Sequence, residues 1–110
     1  MGDTNYIGSI VKILENPSKI LFKNNIPIIQ FRVQLPQVKN NRIINLTLLG
    51  NLARDVAKYY KINDYIIIEG YLSIRNKRVN NSKIQNSKRV EITVLKVYPF
   101  LLNSSNNNGQ

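Results

Sequence analysis

The stretch GNLARDVAKYYKINDYIIIEGYLSIR, residues 50–75, carries the two strongest structural signals in the chain. Its first half predicts a helix of about ten residues, since its apolar residues recur at helical spacing at Leu52, Ala53, Val56, Ala57 and Tyr60. We expect Asn51 to be the N-cap. Its second half predicts a strand in which alternate apolar residues face one way, namely Ile66, Ile68, Leu72 and Ile74. Gly70, inside that strand, indicates a bulge or a bend at a barrel corner.

Strand patterns flank this stretch on both sides, at 5–14, 26–35, 43–49 and 89–102. The resulting order is three strands, one helix and two strands, which is the order of the OB fold. The sequence therefore predicts an all-β protein: a five-stranded Greek-key OB-fold barrel over residues 1–102, with one short helix between strands 3 and 4. Residues 103–110 predict a disordered polar tail. Another five-stranded α+β domain is the alternative.

Composition restricts the function of this small domain. The 110 residues include 16 Lys and Arg, 6 Asp and Glu, no Cys and no His, for a net charge of +10. Disulfides and Cys-based metal sites are thereby excluded, and the commonest general base is missing. The remaining acids lack partners at catalytic or metal-ligand spacing. We therefore expect no enzyme activity, no cofactor, no metal and no small-molecule substrate, but a polyanionic partner.

Membrane and export signals are also missing from the sequence. No run of about 18 apolar residues exists, so we expect no transmembrane helix and no membrane partner. The first residues show neither a secretory nor a transit pattern. We expect a protein that is not secreted and that works in the compartment where it is made.

A basic arm is the sharpest local feature. We use this name for residues 75–89, which hold six cations and no acid. In the predicted barrel this arm is the connection between strands 4 and 5, one of the OB-fold loops that contact oligonucleotides. The sequence therefore predicts phosphate contacts by Arg75, Lys77, Arg78, Lys83, Lys88 and Arg89, whereas an ordinary solvated loop is the alternative reading.

Further candidates for nucleic-acid contact lie on the predicted strands. Arg32, Asn45 and Thr47 fall on polar strand faces, and Arg42 ends the basic loop between strands 2 and 3. Tyr71 lies on the outer face of the fourth strand and is the best candidate for base stacking. Phe22 and Lys23, in the connection between strands 1 and 2, are weaker candidates of the same kind. Ordinary solvent-facing positions explain the same residues equally well.

A family resemblance rests on the opening stretch. Residues 50–53 (GNLA), 56–61 (VAKYYK) and 66–75 (IIIEGYLSIR) resemble the bacterial-type single-stranded DNA-binding protein. Asn5, Asn16-Pro17 and Phe31 match its N-terminal third, and residues 91–94 (EITV) match its last strand, so the resemblance covers roughly residues 5–97. It implies an OB fold, a homo-oligomer (usually a tetramer, with a dimer possible) and the coating of single-stranded DNA in replication and repair.

Departures from that family pattern shape the expected function. Ile43, Leu49 and Lys77 stand where the family has stacking aromatics, so affinity should depend more on charge. The tail, 103–110, contains no acid, whereas the family's tail is acidic and recruits other replication proteins. A divergent member from a plastid or another organelle would account for these differences, and for the 17 Asn, 16 Ile and 10 Lys in the chain. Otherwise the location would be the cytoplasm or nucleoid.

The sequence therefore predicts sequence-independent binding of single-stranded DNA, by tracking the phosphate backbone with some base stacking. A primosome-type or RNA-binding OB protein remains open, as does a structural subunit that docks on a replisome or ribosome protein. Exposed apolar residues such as Ile43 and Ile67 indicate an interface between copies of the chain, although they could equally contact nucleotides.

Overall fold

The alternating apolar and polar residues form extended strands that curl around one apolar interior. The structure, a computed structural model, describes residues 5–36, 42–77 and 87–103. Within these ranges it contains six strands and one helix: β1 (Tyr6–Ile13), β2 (Leu21–Lys23), β3 (Ile26–Leu35), β4 (Arg42–Leu49), α1 (Gly50–Tyr59), β5 (Tyr65–Lys77) and β6 (Ser87–Leu101).

The sheet closes on itself through β1. The strand order is β1-β5-β6-β4-β3-β2, and β1 also pairs with β3. Tyr6–Lys12 of β1 lie opposite β5, whereas Lys12 and Ile13 lie opposite Gln34 and Val33 of β3. Five strands thus form a barrel, and the three-residue β2 is a short addition to the edge of β3. The predicted five-stranded OB-fold barrel, with its helix between the third and fourth barrel strands, is confirmed.

Inward-facing side chains fill the barrel. Every second residue of β3 from Ile29 to Val33, and of β4 from Ile44 to Leu48, is buried, as the period of two predicted. The helix covers one end of the barrel with Ala53 and Val56. The buried apolar residues are Val11, Ile13, Ile29, Phe31, Val33, Ile44, Leu46, Leu48, Ala53, Val56, Ile66, Ile68, Ile92 and Val94.

The predicted bulge at Gly70 is confirmed. The β5–β6 register shifts between Glu69 and Gly70, so that Glu69 lies opposite Lys96 while Gly70 lies opposite Val94. A Cβ on Gly70 would lie 2.1 Å from the carbonyl oxygen of Thr93, a distance that no side-chain carbon tolerates. The strands can therefore bend together at this corner only because residue 70 has no side chain.

The start of the helix differs from the prediction. The helix begins at Gly50, its N-cap is Leu49, and no side chain caps it, so the prediction of Asn51 as N-cap is wrong. Gly50 has φ of +67°, in the left-handed region that glycine enters without steric cost. Because the chain turns into the helix at this glycine, Asn51 is already inside the first turn. The predicted helical stripe is confirmed, since Leu52, Ala57 and Tyr60 pack against the core.

The outer part of β5 extends beyond the enclosed core. The alternation puts Ile74 on the same face as the buried Ile66 and Ile68, and its side chain is 58% exposed. Residues 73–77 of β5 pair with β6 alone, beyond the end of the β1 ladder at Tyr71, and Ile74 lies on this two-stranded ribbon. Of the predicted loops and tail, residues 37–41, 78–86 and 104–110 lie outside the described residues.

Asp64 connects three segments at one end of the barrel through hydrogen bonds. Its carboxylate is buried and accepts the backbone N–H groups of Lys61 (2.9 Å) and Asn103 (2.7 Å). Its backbone carbonyl accepts the N–H of Ile13 at 2.9 Å. One residue thus joins the ends of β1 and β6 to the turn before β5. Within the described ranges, no helix is long and apolar enough to span a bilayer.

The close approach at Gly70 leads to a test of the fold. Gly70→Ala should lower the free energy of unfolding by about 2 kcal/mol or more, because the added methyl group forces β5 away from Thr93. Urea denaturation measures the change. The matched control is Gly8→Ala, whose Cβ would lie 3.7 Å from its nearest neighbours and should change stability by less than about 0.5 kcal/mol. Equal stabilities of the two variants would contradict this account of the bulge.

Candidate nucleic-acid interface

The structure brings three of the predicted residues together on one surface. Arg32 of β3 lies opposite Asn45 of β4, and Gln30 lies opposite Thr47. These side chains point away from the core, because the alternate residues Phe31 and Leu46 are buried. We call this surface the β3–β4 outer face, and its members are Gln30, Arg32, Gln34, Ile43, Asn45, Thr47 and Leu49.

The face presents mainly neutral hydrogen-bonding groups between two apolar ends. The side-chain amide nitrogen of Gln30 donates a hydrogen bond to Thr47 Oγ1 at 3.1 Å, which orients both groups. Ile43 is 53% exposed at one end of β4 and Leu49 is 46% exposed at the other. Ile43 and Leu49 are not aromatic, but their apolar side chains can still lie against the face of a base. Amide and hydroxyl groups can form hydrogen bonds with bases or sugars.

Arg32 has a partner that sequence reasoning missed. Its Nε donates to Glu15 Oε2 at 2.8 Å, and its backbone N–H donates to Glu15 Oε1 at 2.9 Å. These two bonds hold the pKa of Glu15 below its ordinary value of 4.5. The backbone N–H of Arg32 has the largest effect, the guanidinium adds to it, and partial burial of the carboxyl opposes both. Because the two residues are 17 positions apart and belong to different elements, no local pattern links them.

Tyr71 lies on the same side of the sheet, several strands away. The register places Thr47 opposite Thr93 of β6, Thr93 opposite Tyr71 of β5, and Tyr71 opposite Tyr6 of β1. With neighbouring strands about 4.8 Å apart, this row runs roughly 14 Å along the sheet from Thr47 to Tyr6. Tyr71, predicted as a stacking residue, therefore lies in the same row of paired residues as Thr47 of the β3–β4 outer face, with Thr93 between them.

The two tyrosines at the end of this row form a pair. Their ring centroids lie 5.4 Å apart at 71°, an edge-to-face contact, and Tyr71 is 44% exposed. The Tyr6 hydroxyl donates to Glu69 Oε1 at 2.8 Å, and this hydrogen bond raises the pKa of Tyr6. Tyr71 is thus an accessible ring whose orientation is fixed by a hydrogen-bonded neighbour.

The described ends of the basic arm belong to β5 and β6. Arg75 lies opposite Arg89 and Asn76 opposite Lys88, and the strands continue to Lys77 and from Ser87. Arg78 and Lys83 of the predicted set lie outside the described residues.

The arm leaves the barrel beside the β3–β4 outer face. β4 and β6 run parallel, with Asn45 opposite Glu91. Residues 87–89 of β6, just before Val90 and Glu91, belong to the arm. On the outer face, the residue two positions before Asn45 is Ile43. The arm therefore emerges next to the Ile43 end of the face.

Arg42 is placed differently from the other predicted residues. It lies opposite Leu35 at the start of β4, and the alternation of the strand aligns it with the buried Ile44 rather than with Asn45. Its side chain is exposed at the rim of the barrel. The structure therefore does not bring Arg42 onto the β3–β4 outer face.

The β3–β4 outer face carries amide, hydroxyl and apolar groups together with Arg32. In the described part of the chain, no three of the His, Cys, Asp and Glu residues are grouped so that they could hold a metal ion. No buried side-chain nitrogen or oxygen in those ranges lacks a hydrogen-bond partner. The surface can therefore offer hydrogen bonds, apolar contact and positive charge.

Comparison with known proteins gives close matches in sequence. The chain is 40% identical over 104 residues to "Putative single-stranded DNA-binding protein ycf41" of Trieres chinensis, covering 91% of this chain and 92% of that protein. It is 31% identical over 91 residues to the protein of the same name from Pyropia yezoensis, covering 83% of this chain and 82% of that one. No family model matches the chain.

Solved structures share the fold at low identity. The SSB domain of a Synechococcus protein has a TM-score of 0.68 at 22% identity, covering 89% of this chain and 98% of that chain. The small single-stranded DNA-binding protein of Streptomyces coelicolor has a TM-score of 0.76 at 15% identity, covering 91% and 97%. The second single-stranded DNA-binding protein of Mycobacterium smegmatis has a TM-score of 0.66 at 21% identity, covering 88% and 89%.

The Glu15–Arg32 contact leads to a pH test. Because folding lowers the pKa of Glu15, its contribution to stability is present above the ordinary value of 4.5 and is lost as the pH falls through the lowered pKa. Parent protein should therefore be more stable than Glu15→Gln at neutral pH, and the difference should shrink as the pH falls below 4.5. Since both side chains are partly exposed, the difference should be modest. Urea denaturation across this pH range measures it, and a difference that does not change with pH would contradict the assignment.

Proposed function

The chain belongs to the ycf41-type single-stranded DNA-binding proteins, a non-enzymatic family with an OB fold, and on this premise we propose that it binds single-stranded DNA without sequence preference. The observation that carries the proposal is the parallel pairing of β4 with β6. This pairing sets the basic arm beside the Ile43 end of the β3–β4 outer face. In this proposal, one continuous surface combines the cations of the arm, which bind phosphates, with groups of the face that contact bases.

Binding on this surface divides into two physical parts. The six cations of the arm, Arg75, Lys77, Arg78, Lys83, Lys88 and Arg89, attract phosphates without regard to sequence and release counterions. Ile43 and Leu49 contact base faces, Asn45 and Thr47 bond to exposed edges or sugars, and Tyr71 stacks a base further along the row. Arg32 contributes less charge than its type suggests because Glu15 neutralises it.

Membership of this family supports a proposal for the cellular role and the location. A protein that coats exposed single strands serves DNA replication and repair, and we assign this role to the chain. Its similarity to ycf41 proteins and its excess of Asn, Ile and Lys support a plastid location.

We also propose that the protein is a homo-oligomer. Ile10, Ile67 and Tyr98 form an apolar row across the outer faces of β1, β5 and β6, with Tyr98 43% exposed. Moreover, in the described chain, residues 6–11 of β1 pair on one side only, with β5. A free strand edge beside an apolar row is a surface on which a second copy can pair.

The oligomer can be tested in solution. Light scattering should give a mass that is a multiple of the 12.7 kDa chain, with a tetramer expected from the family and a dimer as the smaller alternative. Ile67→Lys should shift the mass toward one chain, because it places a charge in the apolar row, while the circular dichroism spectrum stays unchanged. A parent protein that scatters as a single chain would contradict the proposal.

Salt dependence tests the binding mechanism. A labelled oligo-dT should bind with submicromolar affinity at low salt, and more tightly than the matching RNA or a duplex. The log–log slope of affinity against salt should be about −0.7 per phosphate contact. Lys77→Gln with Lys88→Gln should make the slope shallower by up to about 1.4. The matched control is Lys58→Gln with Lys61→Gln, two exposed lysines on α1 and the following turn, and its slope should equal that of the parent.

Each contrary result has a distinct meaning. Parent and arm variant with equal slopes would show that the arm is not the phosphate site, even if binding persists. Tighter binding of RNA would favour an RNA-binding OB protein. No binding of oligo-dT at low salt would overturn the proposed function and favour a structural subunit.

A further inference from the structure

An acidic side chain is held against the one cation of the β3–β4 outer face. Among the seven members of that face, only Arg32 is charged. Its Nε donates to Glu15 Oε2 at 2.8 Å, and its backbone N–H donates to Glu15 Oε1 at 2.9 Å. One carboxylate oxygen thus binds the side chain of Arg32 and the other binds its main chain, so the contact does not depend on the guanidinium alone.

The backbone around Glu15 sets the position of this carboxylate. The N–H of Leu14 donates to the carbonyl oxygen of Arg32 at 3.0 Å. On the other side of Glu15, Asn16 Oδ1 accepts the N–H of Ile62 at 3.1 Å. The residues before and after Glu15 are therefore anchored to two different segments of the fold. Because the backbone is held in this way, the carboxylate stays near Arg32 even when the guanidinium moves.

A carboxylate and a phosphate compete for the same donors of an arginine. Both accept hydrogen bonds from the N–H groups of the guanidinium, and bidentate binding uses two of them at once. Glu15 already occupies Nε of Arg32. A phosphate that binds this edge must displace the carboxylate, and a phosphate that binds elsewhere on the guanidinium meets its negative charge. The side chains of Arg32 and Glu15 are 57% and 41% exposed, so a phosphate can reach the pair.

We propose that Glu15 is an internal competitor of DNA phosphates for Arg32. The inference rests on the proposed function and names a residue that limits the affinity of the same surface. The charges of the pair cancel in the middle of the β3–β4 outer face, where Arg32 lies opposite Asn45. Phosphates are then drawn to the basic arm, and the face is left to bases and sugars. Removing the charge of the carboxylate should convert Arg32 into an additional phosphate site.

Neutralising the carboxylate tests this competition. Glu15→Gln should tighten the binding of labelled oligo-dT at low salt by about two- to fivefold, as expected when one exposed arginine gains an anionic partner. It should also make the log–log slope of affinity against salt steeper by about 0.7, because one phosphate contact is added. The fluorescence anisotropy of the labelled oligo-dT, titrated at a series of salt concentrations, measures both quantities.

Two controls separate local competition from a general gain of positive charge. Asp55→Asn changes the net charge by the same amount, but Asp55 is exposed on α1 and is not part of the pair, so the salt slope should equal that of the parent. In the Arg32→Gln background, adding Glu15→Gln should leave the slope unchanged, because the guanidinium that would bind the extra phosphate is gone. Circular dichroism should show the same fold in every variant, since all three side chains are at least partly exposed.

The outcomes separate this inference from the proposed function. If oligo-dT binds and Glu15→Gln has the affinity and slope of Asp55→Asn, the competition is overturned and the proposed function stands. Weaker binding by Glu15→Gln would also overturn it, because it would show that the carboxylate holds Arg32 in a productive position. An equal gain in slope in the Arg32→Gln background would do the same, since the effect would not act through the guanidinium. If the parent does not bind oligo-dT at low salt, the proposed function and this inference both fail.

Discussion

Closure of the sheet by β1 is the constraint on which the rest of the structure depends. Lys12 is paired on both sides, with Tyr65 of β5 and with Gln34 of β3, so this one short strand joins the two halves of the barrel. The closure needs a sheet that can bend sharply, and Gly70 supplies the bend by letting β5 lie against the Thr93 carbonyl. Asp64 then fixes the open end through backbone N–H groups from two other segments.

Closure also determines which surfaces can bind. Because alternate residues of every barrel strand are committed to the interior, the polar residues between them face outward at fixed spacing. This alternation sets the spacing of the side chains on the β3–β4 outer face. Beyond the barrel, β5 and β6 continue as a two-stranded ribbon, and the exposure of Ile74 shows where the enclosed core ends.

The distribution of charge explains how a small protein of net charge +10 can present a directed surface. The arm holds six of the 16 cations and no acid, so the rest of the chain has 10 cations against 6 acids, a net of +4. Some of those acids have partners within the fold. Glu15 forms a salt bridge with Arg32, and the carboxylate of Asp64 accepts hydrogen bonds from backbone N–H groups. Most of the excess positive charge therefore belongs to one stretch of the sequence, the basic arm.

The sequence by itself determined the features that depend on local pattern. Strand alternation predicted the buried faces of β3 and β4, helical spacing predicted the stripe of α1, and an isolated glycine within a strand predicted the bulge at Gly70. The same reasoning was wrong about the helix start: Asn51 is a good capping residue, but the left-handed conformation of Gly50 starts the helix one residue earlier. Alternation also could not show where the enclosed core ends, because Ile74 continues the apolar face yet is exposed.

Only the tertiary structure decided the contacts between distant segments, such as Arg32 with Glu15, Tyr6 with Glu69 and Phe22 with Arg54. The physical reason is that periodicity fixes the face on which a side chain lies, whereas its neighbour across the sheet is fixed by register, which the closure of the barrel sets.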